Sequence, residues 1–270
     1  MTSATLSDLA LAHLLADAAR TAIMPYFRQA GLVAQSKESA RFDPVTVADR
    51  AAEQAMRDLL TLHRPQDGIW GEEFGRQEGT SGREWVLDPI DGTRAFISGT
   101  PTWGVLIALS DENGPTLGII DQPYTRERFI GAKGDGGSRV SELVGPLGTV
   151  ELATRDTHDL DQAILFTTFP EIGTPTERAA FEAVAARVKL TRYGLDCYAL
   201  GLLAAGQIDL VIEAGLSAYD IQGPIAVIEA AGGVVTNWRG EPAHLGGRVI
   251  AAANPDIHAA ALAMLATAEA

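Results

Sequence analysis

The sequence is short of cysteine, of positive charge and of long apolar runs, and each shortage removes a class of function. A single cysteine, Cys197, leaves no partner for an intrachain disulfide and fits a reducing cytoplasm. Lys and Arg number 21 against 35 Asp and Glu, a net charge of −14. Nonspecific nucleic-acid binding needs a basic surface, so that class is disfavoured. No uninterrupted apolar run approaches the ~20 residues of a membrane-spanning helix. The opening "MTSATLSDLALAHLLADAAR" has no basic n-region and carries Asp8 and Asp17, so it reads as an amphipathic helix rather than a signal peptide. Histidine is sparse as well. His13, His63, His158, His244 and His258 are scattered, none at metal-ligand spacing, and they read as surface or structural residues. "GAKGDGG" lacks the spacing of a phosphate-binding P-loop and reads as a turn.

What the chain does contain is ordinary globular material. At 270 residues, 46% hydrophobic and 21% charged, it predicts one compact protein with two lobes. Leu6, Leu9, His13, Leu14 and Ala18 recur at helical spacing and predict a first helix of about five turns. A second helix is expected over Val47 to His63, opened by a capping box in which Thr46 is answered by Asp49 rather than the usual Glu or Gln. "EWVLDPI", "TWGVLIALS" and "PTLGIIDQP" read as strands, with "DENG" as the hairpin turn between the last two, and "RERFIGAKGDGG" as a further strand and turn. The first half therefore reads as helices followed by antiparallel strands.

Around residues 146–160 the pattern changes to strands alternating with helices, the signature of an α/β lobe. "AILFTTF" is a strand and "PTERAAFEAVAARV" a helix with proline near its start. "CYALGLLAAG" is a helix ended by Gly206, and "QIDLVIEAG" a strand. "GPIAVIEAAGG" is a helix with proline in its first turn and Gly232-Gly233 at its end; "GRVIAAA" is a strand, and Pro255 to Ala270 a closing helix. The expected division is an N-terminal α+β lobe over 1–148 and a C-terminal α/β lobe over 149–270.

The acids carry the chemical signal. In "WVLDPIDGTRAF", Asp88 directly continues the apolar run Trp85-Val86-Leu87. A carboxylate at the end of a buried strand needs a partner or a metal. Asp91 suits a turn or a helix N-cap equally well. Gly92 lets backbone approach a ligand closely, and the N–H groups that follow it suit a phosphate. Acids for cations beside amides for an anion make a metal-assisted phosphate site. Taken alone, Glu72 and Glu73 in "GEEF" are also a solvated acidic loop. Asp43 and Asp49 in "DPVTVAD" are also a loop acid and a cap, and Asp220 in "SAYDIQGP" is also an N-cap. Clustered carboxylates would repel one another and a phosphate, and would raise one another's pKa, unless divalent cations reverse the local sign. Oxygen ligands without clustered His or Cys favour Mg²⁺ over zinc.

"DPIDGT", with "GEE" and "DPVTVAD" upstream and "YDIQGPIAVIEAAGG" downstream, resembles the inositol monophosphatase family over about residues 6 to 265. The resemblance implies a sugar-phosphatase fold, a layered α-β-α-β-α sandwich, and a Mg²⁺-dependent, lithium-sensitive phosphomonoesterase, commonly a homodimer, acting on a small-molecule phosphomonoester. It implies that Glu72, Asp88 and the carbonyl of Ile90 bind a first Mg²⁺, that Asp88, Asp91 and Asp220 bind a second, and that a third lies near Glu72. It further implies that Thr93, supported by Asp49, helps activate the attacking water, and that the amides of Gly92 and Thr93 hold phosphate oxygens. The implied mechanism is in-line attack of metal-activated water without a phosphoenzyme.

"DPIDGTRAFISGTPTWGVLIAL", "GIIDQPYTRERFIGA" and "RYGLDCYALGLLAAGQIDLVIEAGLSAYDI" look most like the bacterial histidinol-phosphate phosphatase branch, with Tyr219-Asp220 where inositol-specific members commonly carry Trp-Asp. Asp196 and Glu213 match positions that face the leaving group. An acid suits the ammonium or imidazole of histidinol phosphate, although Asp196 also suits a helix cap. Arg94 and Thr102 follow the phosphate turn and are either substrate contacts or solvated; Trp103 and Cys197 read as packed core. Inositol-1-phosphate, a sugar phosphate or a nucleotide 3′-phosphate remain alternative substrates, and a non-catalytic metal-dependent regulatory protein is the alternative of another class.

Overall fold

The computed structural model describes residues 6–29, 34–36, 44–133 and 139–266. Helix α1 (Asp8–Ile23) starts at Ser7, whose hydroxyl accepts from Ala10 N at 3.1 Å, and buries Leu11, Leu15, Ala19 and Ile23. Two short strands, β1 (Gln35–Ser36) and β2 (Pro44–Val45), pair antiparallel before α2 (Val47–His63). The Thr46–Asp49 capping box forms as the sequence predicts.

Next come β3 (Gly68–Gly71), β4 (Gly75–Gln77), β5 (Glu84–Asp91), the short helix α3 (Thr93–Ser98), β6 (Gly104–Asp111), β7 (Gly114–Gln122), β8 (Glu127–Lys133), β9 (Arg139–Gly145) and β10 (Gly148–Glu151). They make an eight-stranded sheet in the order β10-β9-β8-β7-β6-β5-β3-β4. It is antiparallel except at one pair that the sequence reading did not anticipate. β3 runs parallel to β5, because the chain doubles back through edge strand β4 and returns on β3's other side. Strands β9 and β10 also went unforeseen: their faces are mostly exposed and carry little apolar alternation.

The remainder is β11 (Ile164–Thr167), α4 (Pro175–Ala185), β12 (Leu190–Tyr193), α5 (Asp196–Ala204), β13 (Leu210–Leu216), α6 (Ala218–Ala230), β14 (Val234–Asn237), β15 (Gly247–Ala252) and α7 (Pro255–Leu265). Its five strands form a second sheet ordered β12-β11-β13-β15-β14. Pro224 lies inside α6 rather than in its first turn, because the helix begins at Ala218 under a Ser217–Asp220 capping box. Lacking an N–H, Pro224 leaves the Asp220 carbonyl without its usual helical donor.

Alternation along the strands builds the layers. On β6, Val105, Ile107 and Leu109 join α1 and α2 in one core, while Leu106 joins α5 and α6 in another. On β13, Val211 faces that second core, and Leu210 and Ile212 face a third with α4 and α7. The result is α1/α2, sheet, α5/α6, sheet, α4/α7, the layered α-β-α-β-α architecture. Helix α6 lies tight on the first sheet. A Cβ at Gly118 or Gly131 would overlap the α6 main chain, so glycine there allows the helix its close approach. That approach brings the start of α6, with Asp220, to the end of β5.

Candidate active site

Asp88 and Asp91 are three apart, and on a regular strand their side chains would point to opposite faces. The strand is not regular there. Asp88 pairs with Leu106 and Asp91 with Gly104, so β5 spends one more residue than β6 over this stretch. The extra residue is a bulge at Pro89-Ile90, a position that tolerates proline's missing donor. The bulge turns both carboxylates to one side. Ile90 N donates to Asp88 Oδ1 at 3.0 Å, and the Ile90 carbonyl accepts from Thr93 Oγ1 at 3.1 Å. Asp91 Oδ2 accepts the main-chain N–H of Cys197 at 2.7 Å, and Asp220 Oδ2 that of Ser217 at 2.7 Å.

Asp88, Asp91 and Asp220 converge: one carboxylate oxygen from each lies within 4.8 Å of the others. Burial and mutual repulsion both act on them. Asp88 is held well above the ordinary carboxylate range, first by burial and then by Glu72, Asp91 and Asp220. Asp91 rises to about 7 through burial and Asp220, against the pull of the Cys197 amide. Glu72 is within hydrogen-bonding reach of Asp88. Asp49 is buried beyond Glu72 and raised to about 6, chiefly by burial. Its Oδ2 accepts from Thr46 N at 2.8 Å and Thr46 Oγ1 at 2.6 Å, while its Oδ1 is buried without a hydrogen-bond partner. Neither Asp49 oxygen bonds Thr93 directly. Asp43 lies outside the described residues. Buried at Asp88 and half-buried at Glu72, Asp91 and Asp220, oxygen-only and mutually repelling, this donor set fits a hard divalent cation.

A cavity of about 460 Å³ opens over the cluster. Glu72, Asp88, Ile90, Asp91, Gly92, Thr93 and Asp220 border it, as do Asp196, Glu213 and Tyr219. Glu213 accepts from Thr168 N at 2.6 Å, Thr168 Oγ1 at 2.8 Å and Thr167 Oγ1 at 3.2 Å, yet burial still lifts it to about 7, with a contribution from Asp196. Asp196 also rises to about 7, through burial and Asp91, while Thr102 and Arg94 pull the other way. Thr102 Oγ1 is 3.5 Å from Asp196 Oδ2. Burial raises the Tyr219 hydroxyl to about 12.

A profile of the inositol monophosphatase family matches residues 7–269. The chain belongs to that family. It is a phosphatase of this kind, and the family's dependence on a metal ion agrees with the carboxylate cluster. Similar relatives include the bifunctional phosphatase IMPL2 of Arabidopsis thaliana, 40% identical over 95% of this chain and 74% of that protein. The histidinol-phosphatase of Chlorobaculum parvum is 34% identical over 92% of each chain. Among solved structures, an inositol monophosphatase from Zymomonas mobilis superposes with a TM-score of 0.83 at 42% identity, covering 97% of this chain and 99% of that one.

Three of the four motifs, those holding Glu72, Asp88–Thr93 and Tyr219-Asp220, thus line one cavity, and Asp49 of the fourth is buried without lining it. Arg94, read as either solvated or substrate-facing, borders the cavity with its guanidinium carbon 5.1 Å from the Phe169 ring centroid. Trp103 and Cys197 are packed core as expected, and burial raises the Cys197 thiol. Sequence reasoning missed Thr167, Thr168 and Phe169. Its available clue was two hydroxyls and an aromatic ring closing an otherwise apolar strand. Among the described residues, no helix is long and apolar enough to cross a membrane.

Proposed function

We propose that the chain is a Mg²⁺-dependent phosphomonoester hydrolase and that its substrate is L-histidinol phosphate, cleaved to histidinol and phosphate in the cytoplasm for histidine synthesis. The observation that carries the substrate is the pair Asp196 and Glu213, two acids beyond the Asp88–Asp91–Asp220 cluster that line the same cavity, Asp196 helping to raise Glu213. A second acidic zone suits a leaving group that brings an ammonium and an imidazole. Similarity to histidinol-phosphatases supports the same reading.

Asp88, Asp91 and Asp220 would hold one ion, and Glu72, Asp88 and the Ile90 carbonyl another, with a third near Glu72. Bound Mg²⁺ supplies positive charge to the phosphoryl and leaving oxygens and makes water more acidic. Glu72 and Thr93, backed by Asp49, orient the attacking water and take its proton. The amides of Gly92 and Thr93 hold phosphoryl oxygens. The water oxygen bonds phosphorus as the ester P–O bond opposite it breaks; the departing alkoxide takes a proton from solvent water, and Glu72 returns its proton to solvent. A single in-line displacement inverts a chiral phosphate.

Inositol-1-phosphate is the second reading, favoured by the 42% identity to the Zymomonas mobilis inositol monophosphatase. Steady-state phosphate release from both esters, each with and without Mg²⁺, decides between them. The proposal expects the higher kcat/KM on histidinol phosphate and none without the ion. A higher value on inositol-1-phosphate overturns the substrate, and Mg²⁺ binding without turnover of any phosphomonoester overturns the enzyme.

A further inference from the structure

Glu53 belongs to none of the groups above, yet it is fully buried on α2, one helical turn beyond Asp49. Its carboxylate faces the turn between β3 and β4. Oε2 accepts the N–H of Glu73 at 2.7 Å and Oε1 that of Phe74 at 3.2 Å. Arg57, on the next turn of α2, closes the arrangement. Its Nε donates to Glu53 Oε1 at 2.7 Å, its terminal nitrogen donates to the Gly75 carbonyl, and its guanidinium carbon is 5.9 Å from the Phe74 ring centroid. Gly71 makes room, because a Cβ there would overlap the Glu53 carboxylate. The Gly71–Gly75 turn is therefore gripped from α2 by the buried Glu53–Arg57 pair, with Arg50 Nε a more distant 3.8 Å from Glu73 Oε2, and Glu72 sits at its start.

An ion pair buried this deeply is costly to desolvate unless its hydrogen bonds are met, and here most of them are made to one short turn. A turn closed only by its own backbone would be free to shift, and a carboxylate displaced by about 1 Å is a poor ligand for a cation of fixed radius.

We propose that Glu53 is a positioning residue: with Arg57 it fixes the 72–74 turn so that Glu72 is held beside Asp88 at the cation site. The proposal rests on the Mg²⁺-dependent reading above. One helix then governs both acids behind the attacking water, Asp49 directly and Glu72 through Glu53.

The test is Glu53→Gln. With the amide oxygen in the Oε1 position, the contacts to Arg57 and Phe74 persist, but the amide nitrogen faces the Glu73 N–H, donor against donor. In metal-free protein, hydrogen exchange should speed up at the Glu73 and Phe74 amides and stay unchanged in β15 and α7. Calorimetric titration with Mg²⁺ should give a dissociation constant raised by about tenfold or more. The Mg²⁺ concentration for half-maximal phosphate release should rise by more than kcat falls. If Glu53→Gln does not fold, Gly71→Ala carries the test, because it displaces the same carboxylate without removing a polar group. Unchanged exchange at Glu73 and Phe74, or an unchanged Mg²⁺ dissociation constant in a folded variant, overturns the proposal. Wild-type protein that binds no Mg²⁺ overturns the reading of the site, and is seen before any variant is made.

Discussion

The main-chain N–H of Cys197 donates to Asp91 Oδ2 at 2.7 Å, tying the end of β5 to the first turn of α5. This bond stabilises the ionised carboxylate, but burial and Asp220 outweigh it and hold Asp91 near 7. The folded pKa lies above the unfolded one. The stability Asp91 contributes is therefore complete below the unfolded value, about 4, and is lost as pH rises through about 7. Asp91→Asn removes that loss. Metal-free Asp91→Asn at about pH 8 should melt at or above the wild-type temperature, while losing the Mg²⁺-induced rise and ~10²–10³-fold of phosphate release. Thermal melts with and without Mg²⁺ check both halves, and a strongly lowered metal-free melting temperature would contradict this account.

The same raised carboxyls make cation binding pH-dependent. Asp88 and Asp91 both hold protons at higher pH than free carboxylates, Asp91 to about 7. A divalent cation must displace those protons, so its apparent affinity rises with pH. The Mg²⁺ dissociation constant should fall between about pH 5.5 and about pH 8, and binding near pH 6 should release protons to a weak buffer. Calorimetry in buffers of different ionisation enthalpy measures the release directly. A flat pH dependence would show that these carboxyls are not the ligands.

Local chemistry was legible in the sequence and non-local pairing was not. The Thr46–Asp49 capping box depends on residues three apart and formed as read. The convergence of Asp88, Asp91 and Asp220 was expected from motif resemblance, but its cause, a bulge at Pro89-Ile90, appears only in the pairing with β6. The parallel β3–β5 pair is set by the path through β4, which no apolar period encodes. Thr167 and Thr168 reach Glu213 across about 45 residues of sequence, and Glu53 reaches Glu73 across 20, so neither contact has a local signature.

If Asp196 receives a substrate cation, neutralising it should act on one ester and not the other. A hydrogen bond to a charged group is worth about 1.5–3 kcal/mol, so Asp196→Asn should raise KM for histidinol phosphate ~10–100-fold. Inositol-1-phosphate has no cation to lose, and its KM should move little. Glu213→Gln should impair both, since an acid there serves hydroxyls and cations alike. KM values for the two esters on the two variants form the check, and an equal loss on both esters for Asp196→Asn would remove its role in choosing the substrate.

Stability away from the site rests on another buried acid. Asp121 is fully buried on β7, where Oδ1 accepts from Arg128 Nε at 2.7 Å and from Arg20 at 2.9 Å. Arg128 continues to Asp17 at 2.7 Å and His13 Nδ1 at 2.9 Å, pinning α1 to the sheet. Arg128→Met leaves Asp121 with Arg20 alone, and breaking a buried pair costs about 3–5 kcal/mol. Because Arg20 remains, the expected loss is near the lower figure, about 3 kcal/mol, read as a reduced urea midpoint at unchanged slope. A loss under about 1 kcal/mol would mean that solvent already screens the network.

Gly92 and Asp196 meet at the lining of the cavity. Gly92 has φ +81, and a Cβ on it would lie 2.8 Å from Asp196 Cγ, while Asp196 itself has φ +46. Gly92→Ala therefore meets two obstacles, a left-handed backbone costing about 1–2 kcal/mol and a clash with the acid placed beside the leaving group. The single variant should lose stability by more than the backbone term and lose turnover on every phosphate ester. Asp196→Gly removes the obstructing side chain and suits the positive φ. The double variant Gly92→Ala, Asp196→Gly should therefore be more stable than the sum of the two single changes, a coupling that thermal or urea unfolding measures. Recovered stability should not restore KM for histidinol phosphate, because the acid is gone. Additive stabilities would mean that the two residues do not press on each other in solution.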